Sequence, residues 1–127
     1  VDTVATAAAD MFSQLRAASS AAHGTISAPD LLAAATIGGA EVLGLADRIG
    51  SLRPGKQADL QLLRRDAPGM WPSADPVPTI VTSADRGVVD TVFVAGRIVK
   101  SHGALTAHGL DRVAELLRES AARLSAG

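Results

Sequence analysis

Apolar and polar positions alternate along this chain with two different periods, and the change of period falls near residue 49. Upstream, apolar residues recur at helical spacing. Met11, Phe12, Leu15, Ala18 and Ala22 share one face behind Asp10, which has the chemistry of an N-cap, and Gly24 is placed to end that helix. Ser27 predicts a second N-cap, with Pro29 in the first turn and Asp30 three residues on, as in a capping box. That helix carries Leu31, Leu32 and Ala35. Gly38-Gly39 predicts a break or a close backbone approach, followed by a short helix to Leu43 with Gly44 at its C′ position.

Downstream the period shortens to two. Pro54-Gly55 fits the central positions of a type II turn, where glycine supplies φ > 0. Residues 58–64, "ADLQLLR", then read as a strand. Residues 66–78, "DAPGMWPSADPVP", hold four of the six prolines and predict an irregular loop. Residues 88–105 predict a hairpin with strands 89–94 and 97–101, a turn at Ala95-Gly96, and a short return after Gly103. From Leu110 the helical period returns. Leu110, Val113, Ala114, Leu117, Ala121 and Leu124 form one face, and Glu119 and Arg123 an i,i+4 pair on the other. Helices, then a few strands, then a helix make an α+β chain.

Composition refines this picture. The chain has 127 residues, the scale of one domain. Apolar residues make up 47% but aromatics only 2%, so the core must be built from Ala, Leu and Val, with Phe12, Trp71 and Phe93 as the only rings. A net charge of −1 without a basic stripe argues against nucleic acid. No apolar run approaches the roughly 20 residues of a membrane span. The absence of cysteine excludes disulfides and thiolate metal sites and fits the cytoplasm. The first residue is Val1 rather than Met, the expectation for a processed chain or a piece of a longer one.

Residues able to carry chemistry are scattered. His23, His102 and His108 share no ligand spacing and read as surface or capping histidines. Asp47, Asp59, Asp66, Asp75, Asp85 and Asp90 fall mostly at turns and strand ends, where aspartate bonds backbone N–H groups; Asp59 in particular reads as a structural hydrogen-bond acceptor. Gly38-Gly39 before a short helix offers backbone N–H groups to an anion, but a tight helix connection accounts for it better. Nucleophile-elbow, P-loop and dinucleotide-binding spacings are absent, and Lys56 lies outside any P-loop context.

One resemblance organises these residues. Ala35, Thr36, Gly38, Gly39, Ala40, Leu43, Gly44 and Leu45, then Ile49 to Leu52, Pro54 to Lys56 and Ala58 to Leu60, follow the pattern A-T-x-G-G-A-x-x-L-G-L … I-G-S-L-x-P-G-K-x-A-D-L. "VDTVFVAGRIVKSHGAL" continues it. The run resembles the end of the metal-dependent amidohydrolases, in the branch of cytosine deaminase, guanine deaminase and the triazine chlorohydrolases. The resemblance implies a parent enzyme with a (β/α)8 barrel and a small β-sandwich. Residues 1–46 would be the closing helices of the barrel, 47–105 the second half of the sandwich, and 106–127 a C-terminal helix. It further implies one divalent metal, zinc or iron, in the parent and none in this chain alone. The parent would hydrolyse a C–N or C–Cl bond of a heterocyclic or amidine-like substrate. Asp2 matches the aspartate that follows the eighth barrel strand, a metal ligand and general base turned general acid in the intact parent. The missing barrel and N-terminal sandwich strands are the implied partners, together with self-association into a homo-oligomer. The competing expectation is a stand-alone, non-catalytic module that dimerises or binds a partner.

Overall fold

The computed structural model describes residues 10–71, 74–106 and 110–125. Its elements, in order, are α1 (Met11–Ala21), α2 (Ala28–Ala33), a π turn (Ala34–Gly38), α3 (Gly39–Val42), β1 (Leu60–Leu63), a 3-10 turn (Pro68–Met70), α4 (Pro76–Thr82), a second 3-10 turn (Arg86–Val88), β2 (Val89–Val94), β3 (Arg97–Ser101), β4 (Ala104–Leu105) and α5 (Leu110–Ser125). Helices and one antiparallel sheet of order β1-β2-β3-β4 make it an α+β chain.

Local chemistry places the helices as the sequence predicts. The Asp10 carboxylate accepts the Ser13 amide at 2.9 Å and the Ser13 hydroxyl at 2.7 Å, closing the N-terminus of α1. Ser27 Oγ accepts the Asp30 amide and donates to the Asp30 carboxylate at 2.6 Å. The break expected at Gly38-Gly39 does not form. Both glycines are helical, and α2 runs through the π turn into α3. A Cβ on Gly38 would lie 3.3 Å from the Ala33 carbonyl oxygen of the same helical run. The loop expected over 66–78 is also partly ordered. Asp75 caps α4 by accepting the Val77 amide at 3.0 Å, and Pro76 and Pro78 lie in the first turn, where a missing N–H forfeits no helical bond.

Among the described residues, two small clusters make up most of the core, with Ala40 and Val89 also buried. Leu15, Leu31 and Val81 join α1, α2 and α4, while Ala67, Met70, Ala84 and Val88 join the 66–70 segment to the chain between α4 and β2, with Phe12, Leu63 and Ile80 against them. Short side chains let the backbones approach but bury little area each, so polar ties matter here. The Arg16 guanidinium donates to the carbonyls of Thr82 at 3.0 Å and Ala84 at 2.7 Å, fastening α1 to the C-terminal end of α4.

In the sheet, Leu60 pairs with Phe93, Leu62 with Thr91 and Phe93 with Ile98, with irregularities at Leu62/Leu63 and at Val92/Phe93. The hairpin turn sits at Ala95-Gly96 as expected, both residues left-handed at φ 49° and 79°. Alanine is a poor occupant of that conformation. Replacing Ala95 with Asn should stabilise the chain by about 0.5–1 kcal/mol, read as a rise in the urea midpoint; a lower midpoint would contradict the turn geometry.

The Asp10 carboxyl is held below its ordinary range, first by the Ser13 hydroxyl, then by the Ser13 amide, with Arg86 and Arg16 adding attraction. A depressed folded-state pKa contributes stability above the unfolded value, lost as pH falls through the folded one. Amide protection in the first turn of α1 should therefore decline at pH below about 4, and Asp10→Asn should flatten that dependence. Hydrogen exchange against pH measures it, and equal slopes in both proteins would refute the cap.

Candidate functional site

The stretch from Ile49 to Asp59 joins helices to sheet, and its side chains explain how. Leu45 accepts both the Arg48 and Ile49 amides, turning the chain back after α3. Gly50 then passes against the helix at φ +86°. A Cβ on it would meet the Ala40 Cβ at 2.7 Å and the Ile37 Cα at 3.0 Å. Glycine is required here by conformation and by space together. The predicted turn follows: the Lys56 amide donates to the Arg53 carbonyl at 3.2 Å, with Gly55 at φ +89°.

Lys56 folds back over this loop. Its ammonium donates to the carbonyl of Ala46, to the carbonyl of Ile49 at 3.3 Å and to the Ser51 hydroxyl at 2.7 Å. Three donors meet three acceptors, so the half-buried charge is fully hydrogen-bonded. The Gln57 amide adds a bond to the Arg48 carbonyl at 2.8 Å. At the strand, the Asp59 carboxylate accepts the Ala95 amide at 2.5 Å, and the Gly96 amide donates to the Ala58 carbonyl at 3.1 Å. Asp59 thus ties the start of β1 to the β2–β3 turn, in the structural role read from the sequence. The use of Lys56 as a loop staple was not read from the sequence. Its only signal there is a lysine directly after a Pro-Gly turn, with small residues upstream to leave carbonyls open.

Beside this loop runs an open groove of about 810 Å³. Leu32, Thr36, Ile37 and Glu41 line the helical side, and Asp47, Ser51, Arg53 and Lys56 the loop side. With the Lys56 ammonium committed to the loop, the groove presents scattered charge and no nucleophile–base pair.

Other candidates lie at turns and caps. His23 takes a left-handed conformation at φ 47° beyond the end of α1, and His102 does so at φ 50° in the β3–β4 turn, where Nδ1 lies 3.0 Å from the Ser101 hydroxyl. Asp85 accepts the Gly87 amide at 2.6 Å, and Asp90 accepts the Thr91 hydroxyl at 2.7 Å. Gly38-Gly39 offers no anion cradle, because the Gly39 amide is spent on the Ala34 carbonyl. Asp2 and His108 lie outside the described residues. Among the described residues no group of three or more His, Cys, Asp or Glu could hold a metal ion, so these residues do not fit a catalytic metal by themselves.

Comparison with known proteins places this architecture. The model of the amidohydrolase family matches residues 2–99. The chain belongs to the amidohydrolase family. It is 44% identical over 95 residues to a 5-methylthioadenosine/S-adenosylhomocysteine deaminase of Symbiobacterium thermophilum, covering 75% of this chain and 22% of that protein. A deaminase of the same description from Acetivibrio thermocellus is 33% identical over 121 residues, 91% of this chain and 28% of its own length. Among solved structures, an adenosine deaminase from Xanthomonas campestris with bound zinc superposes with a TM-score of 0.84 at 31% identity, over 93% of this chain and 28% of that one. Atrazine chlorohydrolase TrzN from Arthrobacter aurescens, complexed with zinc, gives 0.71 at 27% identity, covering 82% and 24%. This amidohydrolase chain thus spans between 22% and 28% of the length of these relatives.

Given these contacts, Lys56→Met should cost about 2–3 kcal/mol in chemical denaturation, and Gly50→Ala about 2–4 kcal/mol from strain and overlap together. A loss below 0.5 kcal/mol for either would show that the loop is held by something else.

Proposed function

We propose that this chain is the C-terminal part of a zinc-dependent amidohydrolase that deaminates a 5′-substituted adenosine. Residues 1–46 supply closing helices of a (β/α)8 barrel, residues 47–105 half of a β-sandwich and residues 106–127 a C-terminal helix. The observation that carries the reading is the 0.84 superposition on an adenosine deaminase at 31% identity over 93% of the chain. The curated deaminase relatives supply the substrate class. The match to TrzN is weaker in both identity and superposition, so dechlorination ranks behind deamination.

Surface chemistry supports a larger body. The sheet register puts Leu60, Leu62, Phe93 and Ile98 on one face, and Leu62 and Ile98 stay about half exposed, at 51% and 48%. A small antiparallel sheet needs one face covered. Val42, Leu43 and Leu52 are exposed at 88%, 70% and 81% around the helix-to-sheet junction. In this reading the remainder of the enzyme covers these positions, and a strand from its N-terminal part continues the sheet beside β1.

Chemistry then belongs to the assembled enzyme. In the assembled enzyme Asp2 would be one ligand of a zinc ion, which would supply the Lewis acidity that favours ionisation of a water near neutral pH. Asp2 accepts the proton of the attacking water and hands it to the leaving amine.

The test is ammonia release from 5′-methylthioadenosine by the full-length polypeptide that contains this chain. Turnover is expected, with a fall of roughly 100-fold or more in kcat for Asp2→Asn. The 127-residue chain alone should release none. Full activity in the Asp2→Asn variant would remove Asp2 from the mechanism. Absence of turnover on 5′-substituted adenosines, with turnover on a chlorotriazine, would replace deamination by dechlorination.

A further inference from the structure

We draw no further inference here: the strongest candidate, the exposed apolar face of α5 formed by Val113, Leu117 and Leu124, carries nothing because no feature of the structure shows what covers it.

Discussion

The connection from the first helices to the sheet depends on how Lys56 is satisfied. A single ammonium collects two carbonyls and a hydroxyl from the ten residues before it, and so converts an irregular loop into a fixed connector. That loop is presented to Lys56 only because Gly50 lets the chain press against Ala40 and Ile37. Pro54-Gly55 then reverses the backbone so that the ammonium can reach back. Asp59 completes the chain of dependence by catching the Ala95 amide across the sheet. A chain whose core is mostly Ala, Leu and Val has little aromatic area with which to hold helices and strands together, so directional bonds to backbone atoms set their relative position.

Arg16 acts on the same principle elsewhere. Its fork takes up two carbonyls at the end of α4, and the Phe12 ring one turn earlier packs on the cluster of Ala67, Met70, Ala84 and Val88. The conspicuous charged residues of this chain therefore serve largely as staples for backbone groups. That explains why the described histidines and carboxylates do not converge on one point. A catalytic metal needs several ligands brought together, and the match to these relatives covers 28% of their length.

Much of this was legible in the residues. The caps at Asp10 and Ser27, the Pro54-Gly55 turn and the Ala95-Gly96 hairpin are local features, set by a side chain and its nearest backbone neighbours. The acceptor role of Asp59 was legible from its place at a strand entry, but its partner was not, because the Ala95 amide arrives from the far side of the sheet. What escaped sequence reading depends on distant partners or on competing local signals. Gly38-Gly39 stays helical, with the Gly39 amide bonded to the Ala34 carbonyl, so the flexibility of the pair is not used for a break. Asp75-Pro76 starts a helix inside a proline-rich run because prolines in a first turn forfeit no hydrogen bond. The three acceptors of Lys56 lie in the ten residues before it, but the irregular path of that loop leaves little trace in spacing. The metal and proton-transfer roles of Asp2 came from family resemblance alone.

The central claim is that this chain is one part of a larger amidohydrolase. The most direct measurement is the intact mass of the natural gene product that contains it. The account predicts a polypeptide longer by the size of a barrel, roughly 250 residues or more. A natural product of 12.9 kDa would contradict it and leave the half-exposed Leu62 and Ile98 without the partner that the account assigns to them.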